Sequence, residues 1–263
     1  MKNIVITGAY GGMGRAAVRA FVQKGCRVFA LDRRVEAAEE NVIPIVCDVT
    51  SEDSVQAAFD AVKNNCDEIF ALIHFAGVYQ LDSLVEMETD SFDRIFNINV
   101  RGAFLVNKIF LPCLRTGSRI VITTSELAPL DPLPFTGIYA VTKAALDKYT
   151  YSLAMELQLL GISVSVLRAG AVKTDMLGAS TAALDRFCEK TKQFSPNADR
   201  FKKIVNRVEA RHIEADKLAR KLVRIVHRKK PAFAYAINRN PLLLLLNALP
   251  KRLQLFIIKQ ILK

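Results

Sequence analysis

No two of the five cysteines in this sequence stand close enough together to clip a metal ion or staple a short loop. Cys26, Cys47, Cys66, Cys113 and Cys188 are odd in number, widely spaced and without a C-x-x-C pair. That pattern argues against a structural zinc site and a disulfide framework. It points to a reducing, cytoplasmic setting in which most of the thiols act as small buried hydrophobes. An apolar run of bilayer length is also lacking. The leucine run Leu242–Leu246 is cut by Asn247, then by Pro250, Lys251 and Arg252, too soon to span a membrane. No linker, internal repeat or low-complexity tract interrupts the chain, so one domain is expected. At the N-terminus only Ile4, Val5 and Ile6 stand together before a glycine turn, which reads as a strand and not as a signal peptide.

The charge is placed unevenly. Residues 1–200 hold 21 Lys and Arg against 23 Asp and Glu, whereas residues 201–263 hold 16 against 3, so the net +11 comes from the C-terminal quarter. Leucine and isoleucine, not exposed aromatics, interleave these cations, which argues against nucleic acid. A solvated helix face remains open, as does a basic rim that meets anionic lipid or an anionic substrate.

Short apolar runs alternate with longer amphipathic ones. Strands are expected at Asn3–Thr7, Arg27–Leu31, Val42–Cys47, Ile69–Phe75, Arg119–Thr124, Ser163–Leu167 and Ala232–Ala236. Helices are expected at Gly14–Lys24, Ser51–Asn64, Ser91–Leu114, Ile138–Leu160 and Glu214–His227. The strands are continuously apolar, as strands covered on both faces must be. Their alternation with helices implies an α/β fold with a doubly wound, open parallel sheet of about seven strands.

Thr7-Gly8-Ala9-Tyr10-Gly11-Gly12-Met13-Gly14 follows the first strand and opens the first helix. Glycines at such a place permit a tight turn, close backbone approach to a pyrophosphate and helix–strand packing, while the helix N-terminus offers free N–H groups to phosphate. Asp32 ends the second strand 18 residues beyond Gly14. A carboxylate there accepts both ribose hydroxyls and repels a 2′-phosphate, which favours NAD. Arg33 and Arg34 keep NADP open, because guanidinium suits phosphate geometry.

Tyr139 and Lys143 stand at i and i+4, one turn apart on one helix face. A free tyrosine titrates near ~10, too high for proton exchange at neutral pH. A neighbouring ammonium, together with the positive nicotinamide ring of an oxidised cofactor, is expected to lower it and make Tyr139 an acid in ketone reduction or a base in alcohol oxidation. His74, a lone histidine in a strand, reads as a satisfied core residue.

These motifs resemble the short-chain dehydrogenase/reductase family, and the resemblance extends to about residue 240. Thr7, Gly8, Gly12 and Gly14 match its phosphate-binding pattern, and Asp48-Val49 its adenine contact. Phe75-Ala76-Gly77 matches its N-A-G segment, with phenylalanine in place of asparagine. The resemblance implies a catalytic tetrad of Asn99, Ser125, Tyr139 and Lys143. Ser125 would orient the substrate carbonyl, with Thr124 adjacent, and Asn99, favoured over Asn97, would hold a water linking the lysine to solvent. Ser125 precedes Tyr139 by 14 residues, one more than usual in the family, across a loop with three prolines. Arg168-Ala169-Gly170-Ala171-Val172-Lys173-Thr174 resembles the family's P-G-x-x-x-T turn with alanine for proline, which assigns the Val172 backbone to the carboxamide and Thr174 to the nicotinamide or the pyrophosphate.

The same resemblance implies a homodimer or homotetramer packed through Ser91–Leu114 and Ile138–Leu160. Residues 1–240 would form the catalytic domain. Within it, 175–210 are expected to be a polar, mobile lid with helical patches at Thr181–Glu189 and Asp199–Arg211. Residues 241–263 read as an amphipathic extension of the same domain, packed on the substrate cleft, a second subunit or a membrane surface. Similar tails occur in family members that act on steroids, retinoids and other lipidic alcohols, so an apolar alcohol or ketone is the expected substrate. The competing reading is a non-catalytic dinucleotide-binding protein that docks through its basic tail. The intact tyrosine–lysine pair speaks against it.

Overall fold

The structure is a computed structural model and describes residues 1–209 and 211–263. The first six strands are β1 (Asn3–Thr7), β2 (Arg27–Asp32), β3 (Val42–Val46), β4 (Ala71–His74), β5 (Arg119–Ser125) and β6 (Ser163–Ala169). They are followed by the short β7 (Val172–Lys173) and β8 (Ile213–Glu214), and by β9 (Ala234–Ile237). Seven of them form one sheet in the order β3-β2-β1-β4-β5-β6-β9, every pair parallel, and β7 and β8 make a separate two-stranded ladder. From β1 the chain steps outward to β2 and β3, then returns to place β4 on the other side of β1. The switch point thus lies between β1 and β4, where the loops leaving adjacent strands part and open a crevice.

Helices α1 (Gly12–Val22), α2 (Glu52–Lys63), α3 (Thr89–Phe96), α4 (Gly102–Phe110) and α5 (Gly137–Leu157) precede β6. After β7 come α6 (Asp175–Lys190), α7 (Ser195–Glu209), α8 (Ala215–Val226), α9 (Pro241–Asn247) and α10 (Lys251–Leu262). The start of α2 shows how locally its ends are set. The Ser51 hydroxyl accepts the Ser54 N–H at 3.2 Å, and Glu52 and Asp53 follow in the first turn, where the helix dipole favours negative charge.

Side-chain alternation along β1 divides the core. Ile4 and Ile6 pack with Phe21 of α1 and Leu218 and Leu222 of α8. Val5 points the other way, toward Val55 of α2, Val106 of α4 and Leu146 of α5. Each fully buried side chain of this size contributes roughly 1.5–3 kcal/mol. Helices on both faces explain why the strands read as unbroken apolar runs.

One expectation needs correction. The single helix expected over Ser91–Leu114 is α3 and α4 joined by a π-helical turn, Asn97–Arg101, and closed by a 3₁₀ turn at Leu111–Cys113 that contains Pro112. Where helical patches are expected within residues 175–210 stand two helices, α6 and α7. Ala183, Leu184 and Phe187 from the first and Ala198 and Phe201 from the second bury themselves with Leu81 and Phe135 in a third apolar cluster. Residue 210, inside the second expected patch, lies outside the described residues. Phe135 holds a positive φ of 63° within the loop before α5. Its ring centroid lies 4.5 Å from that of Phe187, 5.1 Å from Phe194 and 5.0 Å from Phe201. Those aromatic contacts offset the strain of a left-handed backbone at a bulky residue.

The C-terminal extension is docked on the same loop. Glu126 accepts the Asn240 N–H at 2.6 Å, Asn247 Oδ1 accepts the Asp131 N–H at 2.6 Å, and Lys251 pairs with the Asp131 carboxylate. Asn197 of α7 donates to the Leu262 carbonyl at 2.7 Å. Residues 126–136 are therefore fixed by helices that come more than a hundred residues later in sequence. Among the described residues, no helix is long and apolar enough to cross a membrane.

Candidate active site

A cleft of about 1390 Å³ opens at the switch point. Its floor is the turn after β1. Gly8 takes φ +66°, and a Cβ there would stand 2.5 Å from the Ala76 nitrogen; a Cβ on Gly14 would stand 2.1 Å from the Gly8 carbonyl oxygen. No side chain fits at either place, so the backbone of the turn lies bare toward the cleft. The first N–H groups of α1, at Gly12, Met13 and Gly14, have no acceptor within their own helix. Thr7 accepts the Ala76 N–H at 3.4 Å, which ties the glycine turn to the segment after β4.

Asp32 sits at the end of β2 on the cleft wall. One carboxylate oxygen accepts the Tyr10 N–H at 3.0 Å and the other the Arg33 N–H at 2.8 Å. Both oxygens keep lone pairs free. Arg33 and Arg34 are exposed and line the same cleft. Asp48 and Val49 line it too. The Asp48 carboxylate is held well below the usual range by the N–H and hydroxyl of Thr50, both bound to its Oδ1. Ala76, Gly77 and Thr174 complete the walls. Val172 lies buried one residue back from Lys173, its carbonyl beside the Thr174 hydroxyl at 3.5 Å.

Tyr139, Lys143, Ser125 and Asn99 come together as the sequence suggests. β5 ends on Ser125, whose hydroxyl shares a hydrogen bond with the Tyr139 phenol. Lys143 lies one turn along α5, buried, its ammonium donating to the Thr123 carbonyl at 3.3 Å and standing 5.7 Å from the Tyr139 ring centre. Asn99 occupies the π turn between α3 and α4, a widened turn that recurs at functional sites. Its Oδ1 accepts the Val78 N–H at 2.8 Å, while its Nδ2 donates to the Val78 carbonyl at 3.0 Å and the Thr142 hydroxyl at 3.1 Å. A Cβ on Gly77 would lie 3.2 Å from Asn99 Oδ1 and 3.5 Å from the Lys143 ammonium, so Gly77 lets the two groups converge.

Burial pushes the Tyr139 phenol above its ordinary value, and neighbouring Tyr79 adds to this; the Ser125 hydrogen bond pulls the other way. Burial likewise lowers Lys143 to about 8. Desolvation thus favours the neutral form of both groups in the folded chain. His74 is a core residue as expected. It is buried and pushed down to about 4, and it shares a hydrogen bond of 2.9 Å with Asn107.

A burial cost on Lys143 has a measurable consequence. Its folded value, about 8, lies below the unfolded value near ~10.5, so at pH 7 the charge is carried at a penalty that disappears only as pH rises through that window. Lys143→Met is expected to melt at least about 2 °C higher than the native chain at pH 7. The gain should shrink toward pH 10. Thermal denaturation across pH measures it, and a lower melting temperature at pH 7 would refute the burial argument.

Residues that sequence reasoning did not single out frame the site. The Tyr79 ring packs 4.8 Å from that of Tyr139, centre to centre. Asp147, one turn beyond Lys143, takes both Nε (3.0 Å) and Nη2 (2.7 Å) of Arg168 and the Thr124 hydroxyl (3.2 Å), and so fastens α5 to β5 and β6. The four-residue spacing Tyr139-Lys143-Asp147 was legible as one helix face; the partner Arg168 was not. A second cavity of about 280 Å³ adjoins the cleft, sharing Val78, Tyr79, Arg94 and Arg186 with it and adding Leu81 and Phe187.

Comparison with known proteins settles the lineage. The pattern of the short chain dehydrogenase family matches residues 2–185. The chain belongs to that family. Among curated relatives of this short chain dehydrogenase, versicolorin reductase stcU of Emericella nidulans is 32% identical over 215 residues, covering 76% of each chain. Oxidoreductase UcpA of Escherichia coli is 34% identical over 186 residues, covering 66% of this chain and 71% of its own. The fold recurs in 3-ketoacyl-(acyl-carrier-protein) reductase from Brucella melitensis, solved as a complex with NADH, at TM-score 0.73, 22% identity and coverage of 90% and 96%. It recurs also in aldohexose dehydrogenase of Thermoplasma acidophilum, at TM-score 0.75, 20% identity and coverage of 92% and 94%. The short chain dehydrogenase is thus a member of an oxidoreductase family and shares its fold with these solved structures.

Proposed function

We propose that this chain interconverts a secondary alcohol and a ketone by hydride transfer with a nicotinamide dinucleotide, Tyr139 moving the proton. One observation carries the reading: the Tyr139 hydroxyl, hydrogen-bonded by Ser125 and one turn from Lys143, stands near a cleft floored by a side-chain-free glycine turn. That floor fits a dinucleotide. Thr7, Gly8, Gly12, Met13 and Gly14 would receive the pyrophosphate, Asp48 and Val49 the adenine, Ala76 and Gly77 the ribose side, and Val172 and Thr174 the carboxamide end. When bound, the nicotinamide donates or accepts the hydride.

Ser125 orients the substrate oxygen and Tyr139 gives it a proton in reduction or takes one in oxidation. Lys143 balances the charge that then appears on the phenol oxygen. All three hydrogen bonds of Asn99 go to protein groups, so it fixes Val78 and Gly77 beside Lys143 as well as bordering any water that reaches the lysine. Positioning of this kind supplies about 7–11 kcal/mol of barrier reduction.

Asp32 favours NAD, since its free lone pairs suit two ribose hydroxyls. Asp32→Ala, which leaves Arg33 and Arg34 in place, is expected to shift the NAD:NADP ratio of kcat/KM by at least about tenfold toward NADP. Steady-state rates with each cofactor test this, and an unchanged ratio would reverse the assignment.

The steroid- or lipid-like substrate is proposed from the resemblance alone, since the second cavity sets Val78, Tyr79, Leu81 and Phe187 beside Asp82, Arg94, Arg186 and Lys190. A panel of steroid, retinol and short-chain alcohols and ketones, followed at the reduced-nicotinamide absorbance, tests both reaction and substrate. Turnover confined to small polar compounds removes the apolar substrate, and no turnover with any removes the reaction. Exposed Phe104 of α4 and Val141, Tyr151 and Met155 of α5 form the face through which two copies would pair.

A further inference from the structure

The outer face of the C-terminal helices has no partner in the fold. α10 is docked by one side only: Gln254 is buried, Ile257 and Ile258 are half-buried, and Leu262 packs against the third apolar cluster. On the other side Arg252, Leu255, Phe256, Lys259 and Lys263 follow one another at i, i+3, i+4, i+7 and i+11, a single stripe along the helix. Leu255 is 72% exposed and Phe256 58%, and Leu242 and Leu245 of α9 stand out by 63% and 64%. Four large apolar side chains so exposed on adjoining short helices are more than scattered surface hydrophobes.

The charge around them selects the occupant. Residues 239–263 contain Arg239, Lys251, Arg252, Lys259 and Lys263 and no Asp or Glu. Lys251 is paired with Asp131, and Arg252, Lys259 and Lys263 enter no ion pair among the described residues. A second copy laid on the same face by two-fold symmetry would bring like charges together with no carboxylate on either helix to relieve them. An anionic phospholipid surface supplies both complements. Acyl chains take the leucines and the phenylalanine, headgroup phosphates take the cations, and lysine and arginine stems reach from one layer to the other.

We propose that the outward face of α9 and α10 seats the chain on an anionic membrane surface, without crossing it. The test is co-sedimentation of the full-length chain with vesicles of phosphatidylcholine alone or with about 30 mol % phosphatidylserine. Binding to the anionic vesicles should exceed binding to the neutral ones by at least about tenfold and weaken with salt. Leu255→Glu with Phe256→Glu, and separately Lys259→Glu with Lys263→Glu, should each lower it by about tenfold or more with unchanged melting temperature. Equal failure to bind either vesicle overturns the proposal. So does a size-exclusion shift to a smaller species in the leucine–phenylalanine variant, because the face would then join two copies. The readout needs no turnover, so its outcome is separate from that of the proposed reaction.

Discussion

Replacing Tyr139 by phenylalanine is expected to lower turnover by about 10²–10⁴-fold, the usual worth of a positioned general acid or base. The ring, its contact with Tyr79 and the packing of α5 all remain, so dinucleotide affinity, measured by fluorescence titration, should not change. The pH profile distinguishes a lost proton donor from a structural defect. In the native chain burial keeps the phenol protonated through neutral pH, so the reductive rate should stay level there and decline only under alkaline conditions, while the oxidative rate rises with pH. The residual rate of Tyr139→Phe should lose both of these limbs. A variant with native turnover would end the proposed chemistry, and one with weakened dinucleotide affinity would place Tyr139 in binding instead.

Gly14→Ala carries the other large effect. Its Cβ would stand 2.1 Å from the Gly8 carbonyl oxygen and 2.8 Å from Ala9 backbone atoms, and none of these atoms belongs to a flexible side chain that can yield. Overpacking of this kind costs typically 1–3 kcal/mol, or about 2–4 °C in Tm for each kcal/mol in a chain of this size. Relief can come only by opening the turn, so dinucleotide affinity should fall by about a hundredfold or more, a loss near 2.7 kcal/mol. Gly25→Ala is the control. Gly25 has φ +71° but nothing within 4 Å of its Cβ position, so that variant should lose some stability and keep its affinity. If both variants bind dinucleotide like the native chain, the glycine turn is not the phosphate cradle.

The elements that sequence shows most clearly are those whose environment is uniform along their length. β1, β2 and β4 are almost wholly buried, and apolar runs announce them. β7 and β8 hold two residues each and exist because Val172 and Ile213 happen to run side by side, which no local pattern encodes. Asn97-Ile-Asn-Val-Arg101 contains no helix breaker, so its π turn was invisible, although Asn99 itself stood out as an amide inside an apolar helix. The i, i+4 spacing places Tyr139 and Lys143 on one helix face. It could not show how deeply they are buried, because Tyr79 and the loop across from them arrive from other parts of the chain. Desolvation is a property of that assembly, and it raises the phenol of the folded chain. Residues 175–210 show their helical patches in sequence, while their many charges hide the few apolar positions that find Phe135 only in three dimensions.

The clasp on residues 126–136 also bears on how the protein is made. Ribosomal synthesis delivers the glycine turn, Ser125, Tyr139 and Lys143 long before Asn240, Asn247 and Lys251 emerge. Until then Glu126 and Asp131 lack the partners that hold them. The loop between Ser125 and Tyr139 therefore gains these anchors only once residues 240–251 have been made.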